Sequence, residues 1–122
     1  MKRNLDLIRN ILLTIEETEA NNPLSVQSFV NDEYDEHAIS LHIKLLLDCG
    51  YIEASPFRYI GMQYDDFRIL RITSSGYDYL DSVRNDTVWT KTKEKISEVG
   101  ESVSLDLVKK IASSAILAML GI

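Results

Sequence analysis

The stretch "ISLHIKLLLDCGYIE", Ile39 to Glu53, constrains the fold of this chain more than any other segment. Ile39, Ile43 and Leu46 recur at helical spacing, Gly50 follows, and a β-type segment begins directly after it. Glycine adopts the left-handed conformation in which helices commonly end, so the change from helix to strand is confined to a residue or two. The spacing predicts a helix over residues 35–49, with Asp35 and Glu36 at its positive N-terminal end. Tyr51 to Tyr59 and Phe67 to Thr73 then read as an antiparallel hairpin around "IGMQYDD". Pro56 cannot donate to a ladder, which places the first arm at an edge or in a bend.

The rest of the chain frames this core. Leu5, Ile8, Ile11, Leu12 and Ile15 form one face of a first helix, with Asn4 as its N-cap and "EETEANNP" as its end. Leu24 to Val30 fits a short helix or a short strand; its β-branched and aromatic content favours strand. Thr73 is placed to cap a helix through "SSGYDYLDSVR", with Tyr77, Leu80 and Val83 inward and Gly76 allowing close approach to the sheet. Asp86 is placed to cap another helix, on which Trp89, Thr92, Ile96 and Val99 share a side before Gly100 stops it. A last helix is expected from Ser104 to near Met119. Residues 1–85 carry 8 basic and 14 acidic side chains, whereas residues 86–122 carry 5 of each. That shift suggests a core domain over 1–85 and a helical tail over 86–122.

The net charge of −6 counts against nucleic-acid binding as a class, because such proteins usually carry a basic face. The single cysteine, Cys49, precludes an intramolecular disulfide and fits a reducing compartment. Charges interrupt the apolar residues of "MKRNLDLIRN", which is unlike a signal peptide, and no uncharged apolar run is long enough to span a bilayer. A cytoplasmic protein with no membrane partner is the simplest expectation.

Helix, short strand, helix, hairpin, helix is an α+β order, that of a winged-helix domain. "SLHIKLLLDCGYI" resembles the helix-to-wing junction of winged-helix regulators, where a His-Leu-x-x-Leu core precedes a Gly-Leu-Val turn. "RITSSGYDYL" resembles their entry into the helix after the wing. With "MKRNLDLIRNILLTIEE" and "DSVRNDTVWTKTKEK", nearly the whole chain is similar to domain of unknown function 2513, a family of small proteins from bacteria and their phages. The resemblance implies a winged-helix-like core and no particular activity. It also matches His42 to a histidine of the junction, most simply a packing and hydrogen-bonding residue.

A recognition helix over residues 35–49 would present Asp35, Glu36, His37, Ser40, Leu41 and Lys44 to a DNA groove. DNA readers usually offer Arg, Lys, Asn or Gln there, and here Asp32, Glu33, Asp35 and Glu36 would repel phosphates. A solvated acidic face is the better account. On the hairpin, Arg58 and Arg68 with Tyr59 and Tyr64 could straddle a phosphate row, but Asp65 and Asp66 oppose this, and cross-strand pairing explains them as well. Arg84, Lys91, Lys93 and Lys95 are the densest basic run, diluted by Asp86 and Glu94.

His37, His42 and Cys49 lack the spacing of a zinc site, and Cys49 is expected as a small buried hydrophobe. There is no Gly-rich phosphate loop, nucleophile elbow or HExxH, so no cofactor and no enzyme are expected.

The sequence therefore points to a small non-catalytic protein of phage or mobile-element type, acting through a protein partner or self-association. A winged-helix DNA-binding regulator is the alternative. Contacts are expected from Ser40, Lys44, Arg58, Tyr59 and Arg68. Ile111, Ala115, Ile116, Met119 and Leu120, on the wide apolar surface of the last helix, are the candidate interface of a homodimer.

Overall fold

The computed structural model describes residues 1–100 and 103–122. Among the described residues it is an α+β protein of five α-helices and one two-stranded antiparallel sheet. It divides into two compact units, Met1–Tyr77 and Asp78–Ile122.

The first unit opens with α1, Leu5–Glu17, whose N-cap Asn4 accepts the Leu7 amide at 2.9 Å. Leu7, Ile8, Ile11 and Leu12 are buried, a stripe one turn wide that holds the helix on the core. Helix α2, Glu36–Asp48, is capped by Asp35, which accepts the Ala38 amide at 2.9 Å. It buries Ile39, Ile43 and Leu46 as the spacing predicts. Its end is a Schellman motif: Tyr51 N–H donates to Leu46 O and Gly50 N–H to Leu47 O, with Gly50 at φ 73°.

The segment Leu24–Val30 is not the strand that its composition suggests. Leu24 makes one bridge to Ile69, and Val26–Ser28 then form a 3-10 turn. Ser28 accounts for the difference: its Oγ accepts the Ser25 amide while its own amide donates to Ser25 O, both at 3.0 Å. Such local bonds offer the backbone an alternative to a ladder. Val26 is fully buried, and its amide donates to the buried carboxylate of Asp66 at 2.9 Å.

Strands β1, Ile52–Phe57, and β2, Asp66–Ile72, pair antiparallel, with Ser55 opposite Arg68 and Ile52 opposite Ile72. The register slips between Glu53, opposite Arg71, and Ala54, opposite Ile69, so Leu70 is left as an exposed bulge. Pro56 is tolerated because β1 is an edge.

Helix α3, Ser74–Val83, begins where Thr73 Oγ1 accepts the Gly76 amide at 3.1 Å. A Cβ at Gly76 would stand 2.1 Å from the Tyr51 carbonyl oxygen, so the helix start lies directly on the chain entering β1. The inward face is Gly76, Tyr79, Leu80 and Val83; Tyr77, expected inward, is exposed. Gly76 sets that face, and the residues three, four and seven positions on share it, which leaves Tyr77 at its margin.

In the second unit α4, Asp86–Val99, is capped by Asn85 and not by Asp86, which is its first residue. Val88, Trp89, Thr92 and Ile96 are buried, whereas Val99, expected on the same side, is exposed at the helix end. Helix α5, Leu105–Met119, starts from Ser104 as N-cap, buries Leu105, Val108 and Ala112, and packs on α4. No helix among the described residues is long and apolar enough to cross a membrane.

Candidate interaction surface

The residues singled out on α2 and the hairpin converge on one carboxylate. Asp65 immediately precedes β2, and Lys44 of α2 and Arg58, just beyond β1, both ion-pair with it. Ser40 Oγ donates to the Asp65 carbonyl oxygen at 2.7 Å. Arg58 also donates to Met62 O at 3.1 Å, which folds its guanidinium back over the turn. The Lys44 hydrogen bond, with the charges of Lys44 and Arg58, holds the Asp65 carboxyl below the usual carboxylate range. Three of the five expected contact residues are therefore engaged internally. Ser40, expected at a contact surface, is buried, because its hydroxyl seals α2 onto the hairpin.

The outer surface of the N-terminal turn of α2 is acidic and aromatic. His37 meets Tyr64 edge-on with ring centroids 6.0 Å apart. Gln27 bridges Glu36 Oε1 and Tyr64 Oη at 3.3 and 3.4 Å, and Asp32, Glu33 and Asp35 are exposed beside them.

The hairpin tip has a different character. Tyr59 is 70% exposed and Ile60 fully exposed, with the Phe57 ring 5.4 Å from that of Tyr59. A turn closed by Met62 N–H donating to Tyr59 O at 3.1 Å holds these side chains outward, and Gly61 sits in it at φ 91°. On the sheet, Arg71 forms a bidentate pair with Glu53 at 2.8 and 3.0 Å. Arg68 is exposed opposite Ser55 and makes no ion pair among the described residues.

His42 is buried, its Nε2 accepting the Asn4 amide at 2.8 Å and its Nδ1 contacting Ala38 O at 2.7 Å. Burial lowers its pKa below the ordinary 6.5. Cys49, expected buried, is exposed, because the helix ends at its position and turns it out of the core. Among the described residues no group of three or more His, Cys, Asp or Glu side chains is arranged to hold a metal.

The five tail residues do not share a face. Ile111 and Ala115 line a groove of about 600 Å³ between α4 and α5; Ile116 is half-buried elsewhere on the helix, and Met119 and Leu120 are exposed at its end. Of the basic run, Arg84 pairs with Asp81 and Lys93 lies 5.8 Å from the centroid of the Trp89 ring. The role of Asp65 is the residue-level feature that the sequence concealed, since its partners are separated from it by up to 25 positions.

Comparison with known proteins places the chain in a family. It is 40% identical over 122 residues to an "Uncharacterized protein" of Haemophilus influenzae strain Rd, covering 99% of this chain and 100% of that one. No solved structure matches it. The family model described as "Hypothetical protein (DUF2513)" matches residues 2–102, and the chain belongs to that family.

Proposed function

We propose that the N-terminal part of the chain is a winged-helix module that works in the cytoplasm by binding a protein, with no catalytic step, and that its hairpin tip is the contact. Helix α1, the Leu24 bridge, α2 and the hairpin follow one another in winged-helix order. In that arrangement α2 stands where a recognition helix would and the hairpin is the wing.

The observation that carries the binding role is the distribution of charge and apolar surface on the wing. Lys44 and Arg58 are spent on Asp65, while Tyr59 and Ile60 project from the tip. A phosphate-binding wing needs its cations outward. An exposed aromatic and an exposed aliphatic side chain instead suit the desolvated centre of a protein contact. The exposed acidic residues around the start of α2 add repulsion towards a duplex.

The alternative, a DNA-binding regulator, is favoured only by Arg68, exposed on β2 and without an ion pair among the described residues. Photocrosslinking in cells separates the two. A photoreactive residue in place of Ile60 is expected to give discrete protein adducts that Tyr59→Asp removes. Nucleic-acid adducts from Ile60 and Arg68 positions alike, with no protein adduct, would assign the module to DNA.

A further inference from the structure

One residue locks the turn at the hairpin tip twice. Met62 N–H donates to Tyr59 O at 3.1 Å, and Met62 Sδ accepts the Tyr59 amide at 3.2 Å. Arg58 Nη2 donates to the Met62 carbonyl oxygen at 3.1 Å, so the same residue also anchors the chain entering the turn. Ser25 and Ser28 make the same reciprocal pair: the side chain of the later residue accepts the amide three positions before it, and its own amide donates back. There the acceptor is a hydroxyl, and at the tip it is a thioether. A thioether is the weaker acceptor, so the lock is looser than oxygen would make it. What sulfur adds is reactivity, since of these two acceptors it alone is oxidised reversibly. Met62 is half-buried, which leaves the sulfur within reach of a small oxidant.

We propose that Met62 is an oxidation site that regulates the hairpin tip, with a hydroperoxide as the oxidant; this rests on the reading of the tip as the contact. A sulfur lone pair attacks the terminal oxygen of the peroxide, the O–O bond breaks and an S–O bond forms. The proton of the transferred hydroxyl passes to the departing oxygen. The thioether loses two electrons to become a sulfoxide, and the peroxide is reduced to water or an alcohol. The new oxygen has no room between the sulfur and the Tyr59 N–H, which already stand at hydrogen-bond distance, unless the turn opens. Where it points elsewhere, the sulfur left facing the amide carries a partial positive charge and repels the donor. In both cases the side-chain half of the lock is lost. Tyr59 and Ile60 are then no longer held outward in one arrangement, and the pre-organised contact weakens. A methionine sulfoxide reductase reverses the step and restores the lock.

Hydrogen exchange of the Tyr59 amide, followed by NMR in the full chain before and after hydrogen peroxide, tests the lock. Mass spectrometry of the same samples locates the added oxygen, with the exposed Met1 and Met119 as references for complete reaction. Exchange at Tyr59 should quicken about fivefold, the loss of one ordinary hydrogen bond, and return to its first rate after treatment with a methionine sulfoxide reductase. Met62→Leu keeps the backbone bond and removes the sulfur. It should exchange at the faster rate from the start and ignore peroxide, although Met1 and Met119 still oxidise. The consequence for binding is read in cell extract with a photoreactive residue in place of Ile60. Protein adducts should fall on oxidation and recover with the reductase, and in Met62→Leu peroxide should leave their yield unchanged. A Tyr59 amide indifferent to oxidation overturns the proposal. So does a Met62 that stays unoxidised once Met1 and Met119 have reacted, or adducts that persist at full yield on the oxidised chain. A reduced chain that forms no protein adduct sinks the contact reading instead, and the exchange rate still decides whether Met62 is the lock.

Discussion

His42 on α2 accepts the backbone amide of Asn4, the N-cap of α1, through Nε2 at 2.8 Å. An amide can only donate, so Nε2 must be unprotonated. The ring proton is therefore on Nδ1, donating to Ala38 O at 2.7 Å. One neutral imidazole thus ties the start of the first helix to the second.

Acid should loosen this tie. Burial lowers the His42 pKa in the folded protein, an effect that the Ala38 carbonyl opposes and the nearby Arg3 charge reinforces. A base with a folded pKa below its unfolded value binds more protons when unfolded. Its contribution is therefore fully present above the ordinary 6.5 and is lost as pH falls through the folded value. Urea unfolding should show stability declining as pH falls below the ordinary 6.5. His42→Gln should flatten that decline and cost about 1–3 kcal/mol at neutral pH, the range for a buried hydrogen bond left incomplete. An unchanged pH profile in the variant would remove His42 as the cause.

Gly76 should tolerate no side chain. A Cβ there would stand 2.1 Å from the Tyr51 carbonyl oxygen and 2.7 Å from Ile72 Cγ2. The first of these is backbone, held by its bond from the Thr73 amide at 2.9 Å, and cannot swing aside. Gly76→Ala should destabilise by about 2–4 kcal/mol despite alanine's higher helix propensity. The neighbouring exposed Ser75→Ala should be close to neutral, and the difference in urea midpoints between the two reads the clash directly.

What the sequence disclosed follows the range of the interactions that decide each feature. The N-cap at Asn4, the stripe Ile39, Ile43, Leu46 and the left-handed Gly50 are settled within a turn of chain, and all are visible in the letters. The hairpin was legible because "IGMQYDD" separates two β-rich runs, although the slip at Glu53 and the exposed Leu70 were not. Helical position alone puts Ser40 on the outward side of α2; its hydroxyl instead finds the Asp65 carbonyl, 25 positions away. Leu24–Val30 has strand composition, but Val26 is drawn in by Asp66, 40 positions away. The face of α3 could have been placed correctly, since Gly76, once assigned to the close approach, fixes Tyr79 and not Tyr77 as its companion.

Asp66 is accordingly a structural carboxylate. It is buried, and one oxygen accepts both the Val26 amide at 2.9 Å and the Phe67 amide at 2.7 Å. Asp66→Ala leaves two backbone donors without their acceptor and should cost about 2–3 kcal/mol. Protection of the Val26 amide from hydrogen exchange should fall with it. Retained protection there would mean that the 3-10 turn stands without Asp66.

Asp65 should act in the opposite sense, on binding more than on folding. Its carboxylate is partly exposed and neutralises Lys44 and Arg58, so it occupies the place that a phosphate would take between them. Asp65→Asn preserves the backbone carbonyl that Ser40 uses and removes only the charge. Stability should change little, since exposed ion pairs contribute little. Binding of a random-sequence duplex should strengthen at low salt from the weak non-specific range. The slope of log K against log salt should steepen by about 1–2, one phosphate contact for each cation released. Lys44→Ala and Arg58→Ala added to Asp65→Asn should each take back part of that slope. Duplex affinity that is already tight in the wild-type chain and indifferent to Asp65→Asn would show that the two cations are not the contacts, and would move the nucleic-acid surface to Arg68 and the open face of the sheet.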